Sequence, residues 1–157
     1  MCIRDSLGLI TFQTKNYLKS VEIFDRAIQV KPNDAEVYNF HAVVLIHLKK
    51  FEEAIKSWNC AIKIKPDYAE AYYNCGNAFF GLKKTESAIE SYDKAIQIKP
   101  DYAEAYYNRG NVFFELKKIK SAIESYDKVI QIKPDYAEVN NNRGNAFLEL
   151  NKKDSAI

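Results

Sequence analysis

Four prolines fix what this chain can fold into. Pro32, Pro66, Pro100 and Pro134 are all the prolines it has, and each stands 34 residues beyond the one before. Proline lacks a backbone donor and pushes the preceding residue out of helical geometry, so each one marks a place where a helix stops. Stops at equal intervals mean a unit copied in tandem, and so short a unit buries too little surface to stand alone. Two adjacent copies, Ala69 to Tyr102 and Ala103 to Tyr136, differ only at Cys75/Arg109, Ala78/Val112, Gly81/Glu115, Thr85/Ile119, Glu86/Lys120 and Ala95/Val129.

Within the copy that begins at Ala69, Tyr72, Cys75, Gly76 and Phe79 recur on one face of a helix. After Leu82, Lys83 and Lys84 the periodicity restarts with Ala88, Ile89, Tyr92, Ala95 and Ile96. The spacing predicts helix A, a turn, helix B and a proline stop in every unit. Asp67, Asp101, Asp135 and Asn33, each with a glutamate three residues on (Glu70, Glu104, Glu138, Glu36), predict capping boxes at the starts of the A helices. Small residues are expected to face each other where the paired helices cross: Gly76 with Ala88, Gly110 with Ala122, Ala42 with Ala54, and Gly8 with Ser20.

Apolar residues at 47% exclude a disordered chain, and a net charge of +2 with both signs interspersed disfavours nucleic acid as a partner. Cys2, Cys60 and Cys75 are odd in number and lack CxxC spacing, so neither a disulfide framework nor a zinc site is indicated and a reducing, cytoplasmic setting is expected. No membrane span and no signal peptide is read in the sequence.

The 34-residue period, carried by Tyr72, Gly76, Phe79, Ala88, Tyr92, Ala95 and Pro100 and again by Tyr106, Gly110, Phe113, Ala122, Tyr126, Val129 and Pro134, resembles the tetratricopeptide repeat (TPR). The unit from Ala35 carries the pattern with Tyr38, Ala42, Leu45, Ala54, Trp58, Ala61 and Pro66. The resemblance implies an all-α fold, a right-handed α-α superhelix of antiparallel helix pairs. The units read as 1–34, a degenerate first repeat in which Arg4 and Thr11 replace aromatics, then 35–68, 69–102, 103–136, and a truncated fifth, 137–157. The chain is accordingly expected to be a piece of a longer array.

No catalytic, cofactor-binding or metal-binding constellation is expected. The five glycines, Gly8, Gly76, Gly81, Gly110 and Gly144, lie in helical patterns rather than in a phosphate loop. His41 and His47, six apart on one helix, diverge and read as packing or surface residues; Cys75 and Cys60 read as small apolar fillers. The Lys-Lys pairs at 49–50, 83–84, 117–118 and 152–153 fall at the predicted A-to-B turns, where solvation and the helix dipole account for them.

The informative feature is a ladder of asparagines: Asn74 and Asn77, Asn108 and Asn111, Asn142 and Asn145 occupy equivalent places in successive A helices. Asparagine is a poor helix former, so six at fixed phase call for a reason beyond local structure. An amide can pair with both groups of an extended peptide backbone, or it can tie neighbouring A helices to each other; the residues alone leave both open. The ladder is similar to that of O-GlcNAc-transferase-type superhelices, and that resemblance implies a concave groove holding a partner's backbone, with Tyr73 and Tyr107 beside it. Phe80 and Phe114 read equally as apolar patches of the groove or as core.

The expected function is a scaffold module that binds a protein or peptide and is not an enzyme. The alternative is the substrate-recruiting portion of a larger enzyme such as a glycosyltransferase. A carboxylate clamp of the chaperone-binding kind is disfavoured, because Tyr73 and Glu138 stand at its basic places and Glu36, Glu70, Glu104 and Glu138 repel an acidic tail. RNA binding, as in the pentatricopeptide proteins, is disfavoured by the strict period and the balanced charge.

Overall fold

A computed structural model describes residues 16–154. All regular structure among them is helical: α1 (Tyr17–Val30), α2 (Ala35–His47), α3 (Phe51–Ile64), α4 (Ala69–Gly81), α5 (Thr85–Ile98), α6 (Ala103–Glu115), α7 (Ile119–Ile132) and α8 (Ala137–Asp154). The even-numbered helices are A helices and the odd-numbered ones B helices. The helix A expected in the first unit, with Gly8 and its contact to Ser20, lies outside the described residues.

Each helix packs against the next, and beyond that A helices touch A helices, α4 with α6 and α6 with α8, while no two B helices are in comparable contact. The A helices therefore run on the inside of the curve and the B helices on the outside of a right-handed superhelix. The core is correspondingly periodic. Phe24, Trp58, Tyr92 and Tyr126, one per B helix, are all but fully buried. Burial of each ring contributes on the order of 2–3 kcal/mol before the entropy of ordering it is subtracted.

Glycine is needed opposite two of these rings. A Cβ at Gly76 would lie 2.6 Å from Cε1 of Tyr92, and one at Gly110 would lie 2.6 Å from Cε1 of Tyr126. The close neighbour is thus the ring and not Ala88 or Ala122, as the pattern of small residues suggested. The ring crosses the glycine because the Tyr92 hydroxyl reaches past it to donate to Asn77 Oδ1 at 2.8 Å, as Tyr126 does to Asn111 at 2.8 Å. In the second unit Trp58 leans the other way, donating from Nε1 to Asn39 Oδ1 at 2.9 Å, and Ala42 is accommodated.

The A-to-B turns reverse the chain without glycine. Lys49, Lys83 and Lys117 take φ near 60° (60, 59 and 58). In the first of these turns Lys49 N donates to Ile46 O and Lys50 N to Leu45 O, both at 2.9 Å, which closes a Schellman motif around a left-handed lysine. The fourth Lys-Lys pair departs from expectation: Lys152 and Lys153 lie within α8, which runs on through the place where the other A helices end.

The B-to-A turns also correct the reading of the caps. Tyr68 N donates to Lys65 O and Tyr102 N to Lys99 O, so Pro66 and Asp67, like Pro100 and Asp101, are the central residues of a β-turn. Asp67 and Asp101 fall one residue too early to cap. Tyr68 and Tyr102 hold the cap positions without a side-chain bond, and Asp67 and Asp101 offer their backbone carbonyls to Ala69 N and Ala103 N. Tyr136 N donates to Lys133 O in the same way, which puts Asp135 in the turn. Of the three A helices α2, α4 and α6, α2 alone has a carboxylate cap, and it is Asp34, not Asn33, that accepts from Glu36 N and Val37 N.

Candidate functional site: the inner face of the A helices

Each inner-face side chain is positioned by the repeat itself, one per unit. Asn108 on α6 donates from Nδ2 to Asn77 Oδ1 (2.8 Å) and to the Tyr73 hydroxyl (3.2 Å) on α4. One unit later Asn142 on α8 donates to Asn111 Oδ1 (3.1 Å) and to the Tyr107 hydroxyl (3.0 Å) on α6. Asn77 and Asn111 thus accept twice, from the following asparagine and from a B-helix tyrosine. Asn108 and Asn142 brace one A helix to the next.

The predicted site residues therefore separate. Asn108 and Asn142 have their donors engaged between helices. Asn77 and Asn111 have their carbonyls engaged, while their NH₂ groups make no protein hydrogen bond. Asn145 is exposed, and among the described residues neither it nor Asn74 has a side-chain bond to protein. Tyr73 is half-buried between the rings of Tyr92 and Tyr102, with centroids 6.1 and 5.0 Å away, and Tyr107 repeats this with Tyr126 and Tyr136. Phe80 packs against Ala88, Tyr92 and Val112, and Phe114 joins the next cluster; the ammonium groups of Lys83 and Lys117 lie over their rings. Burial holds the Tyr92 hydroxyl above its usual range and pushes that of Tyr126 up to about 12, so both remain donors at neutral pH.

The ladder breaks at its first rung. Opposite Asn74, α2 presents Val43 and Asn39 where α4 presents Asn77 and Tyr73 to Asn108, and the Asn39 carbonyl already accepts from Trp58. A cleft of about 180 Å³ opens there, lined by Val43, Ile46, Phe51, Trp58, Asn74 and Ala78 among others.

A second set of ties was not read from the sequence. His41, Arg109 and Arg143 hold one helix-A position, and each reaches an aspartate 16 residues back on the preceding B helix: Asp25, Asp93 and Asp127. The exception carries the signal, since Cys75 takes that position in α4 and Asn59 stands where the aspartate would be. Charge leaves both partners together. His41 accepts no proton readily: its Nδ1 lies 2.9 Å from the Ser57 hydroxyl and its Nε2 faces Asp25, and burial lowers its pKa against the opposing pull of Asp25. His47 stacks on Tyr17. Burial pushes the Cys75 thiol up to about 12, which leaves no thiolate for chemistry at neutral pH. Among the described residues no three His, Cys, Asp or Glu side chains converge as metal ligands, and no helix is long and apolar enough to cross a membrane.

Fold and site define a class: an α-helical repeat solenoid whose inner face is a row of A helices. The chain belongs to the tetratricopeptide repeat family, whose TPR repeat model matches residues 44–83, 76–117 and 110–151 and whose second model, Tetratricopeptide repeat, matches 4–34. Among solved structures it is similar to the MamA protein (TM-score 0.89, 26% identity, covering 98% of this chain and 84% of that one). It is similar also to the first TPR of Spaghetti (RPAP3) bound to the HSP90 peptide SRMEEVD (TM-score 0.71, 26% identity, 74% of this chain and 92% of that one). YrrB, described as a TPR protein with an unusual peptide-binding site, shares the fold (TM-score 0.80, 19% identity, 90% of this chain and 73% of that one). No curated protein matches the sequence.

Proposed function

We propose that the chain is a protein-interaction scaffold that holds an extended segment of a partner polypeptide along its inner face. The observation that carries this reading is the row of amide donors left over after the ladder has braced the helices. The NH₂ groups of Asn77 and Asn111 recur one unit apart and have no hydrogen-bond partner among the described residues, and Asn145 stands at the same phase in α8. Donors in such a row match the carbonyls of an extended backbone irrespective of its side chains. The ladder thus has two jobs in this reading: Asn108 and Asn142 hold the trough in shape, and Asn77, Asn111 and Asn145, with Asn74, meet the ligand, as the likeness to O-GlcNAc-transferase-type arrays implies. Tyr73 and Tyr107 shape the wall beneath them. A peptide-bound relative supports the use of such a trough, but its acidic peptide is not the chemistry expected here, since Glu36, Glu70, Glu104 and Glu138 recur along the A helices.

The test is the triple variant Asn77→Asp, Asn111→Asp, Asn145→Asp, measured against a display library of random 12-residue peptides. Aspartate keeps the oxygens that Tyr92 and Tyr126 need, removes the donors and sets a carboxylate against the carbonyls of an extended backbone. Selected peptides should bind the variant at least about tenfold more weakly, the equivalent of one or two lost hydrogen bonds, with helicity and melting little changed. Equal binding by the variant would remove the inner face from consideration.

A further inference from the structure

We infer that the cleft at the break in the ladder is a specificity pocket, which takes one large apolar side chain of the bound segment while Asn74 holds the adjoining peptide group. This rests on the inner-face reading and adds to it the one place where side-chain identity is read.

The side chains of successive units account for the space at this joint. Between the third and fourth units Phe80 packs against Val112, and Asn77 fills the inner edge by bonding Asn108. At the equivalent places between the second and third units stand Ile46, Ala78 and Val43. A phenylalanine has become an isoleucine on one wall, a valine has become an alanine on the other, and the polar rung between them is gone. The walls have shrunk without closing, and a cleft of about 180 Å³ remains. An apolar cavity of roughly 150 Å³ is enough for a benzene-sized group.

The chemistry of the lining selects the occupant. Val43, Ile46, Phe51, Ala78 and the face of Trp58 offer apolar surface, and Trp58 has its indole N–H already committed to Asn39. The amides of Asn74 and Asn77 and the imidazole of His47 supply the polar groups of the lining, and the Asn74 amide makes no bond to protein, unlike its counterparts Asn108 and Asn142. An apolar pocket rimmed by an unengaged amide, which carries donors and an acceptor, fits an aromatic or branched aliphatic side chain attached to a peptide group; a free lipid or hydrocarbon leaves the amide unmatched.

Trp58 is the sole tryptophan, so the pocket carries its own reporter. The probe is N-acetylphenylalaninamide, one aromatic side chain between two amides, with N-acetylalaninamide as control, followed by Trp58 fluorescence and by the NMR signals of the Trp58 indole and Asn74 side-chain amide. The phenylalanine probe should shift all three and the alanine probe should not. Asn74→Ala should weaken the probe by roughly threefold to tenfold, as expected for one hydrogen bond. The pair Ile46→Phe with Ala78→Val, which copies the side chains of the next joint and so fills the cleft with a packing this fold already uses, should abolish binding. Absence of any shift at Trp58 and Asn74, or undiminished probe binding by the filled pair, overturns the pocket. A Trp58 shift that depends on protein concentration alone also overturns it, since a second copy would then be the occupant. None of these outcomes depends on Asn111 or Asn145, so the pocket can fail while the inner-face reading stands, and the library experiment can fail while the pocket stands.

Discussion

Single residues carry more of this fold's specificity than their number suggests. Gly76 and Gly110 give way to tyrosine rings that cross them. Gly76→Ala or Gly110→Ala should therefore lower stability by about 1–3 kcal/mol through overpacking. Chemical denaturation of the two variants checks the sign. His41 gives a pH dependence of definite direction. Its folded-state pKa lies below the unfolded value because burial outweighs the attraction of Asp25 and Glu53. The unfolded chain then takes up the proton first, so stability present at neutral pH is lost as pH falls below about 6.5. Melting should drop between pH 7.5 and pH 5.5, and the part of that drop due to this residue should vanish in His41→Gln. The sequence showed the proline stops, the aromatic positions and the ladder at sight. It did not show which atoms of each amide were already engaged, because that depends on whether Asn or Val, Tyr or Asn, stands on the neighbouring helix.

At the level of the element, the pattern of apolar residues fixes where helices lie, but their ends are set by turn chemistry. The periodicity located every A and B helix among the described residues. The capping-box pattern does not hold at Asp67 and Asp101 because both are equally good residues for the turn that Pro66 and Pro100 begin, and the turn leaves them a residue short of the cap. The A helices end on lysines in a conformation that costs a side-chain-bearing residue about 1–2 kcal/mol. Lys49→Gly should relieve that strain and, after allowance for the more flexible unfolded chain, stabilise by roughly 0.5–1 kcal/mol. Lys49 is the right place to look, since Lys83 and Lys117 also pair with Glu115 and Glu149 and their loss would blur the result. A lowered midpoint for Lys49→Gly in urea would show that the turn is held by something other than backbone geometry.

Over the whole molecule, contacts between neighbours are all that a linear stack possesses, and its stability is close to a sum over joints. The later joints share three fasteners: an asparagine rung, an arginine to aspartate pair and a lysine to glutamate pair, as between the third and fourth units with Asn108 and Asn77, Arg109 and Asp93, and Lys83 and Glu115. At the joint of the second and third units Val43, Asn59 with Cys75, and Gly81 stand in their places, and all three are missing together. Installing Val43→Asn, Asn59→Asp with Cys75→Arg, and Gly81→Glu should raise stability by about 1–2 kcal/mol in low salt and by less in high salt. Thermal melts at the two salt concentrations check it. Springs joined end to end yield first at a coil that lacks its fasteners, so a pull or twist applied to this protein should be taken up preferentially at the joint of the second and third units, where all three are missing.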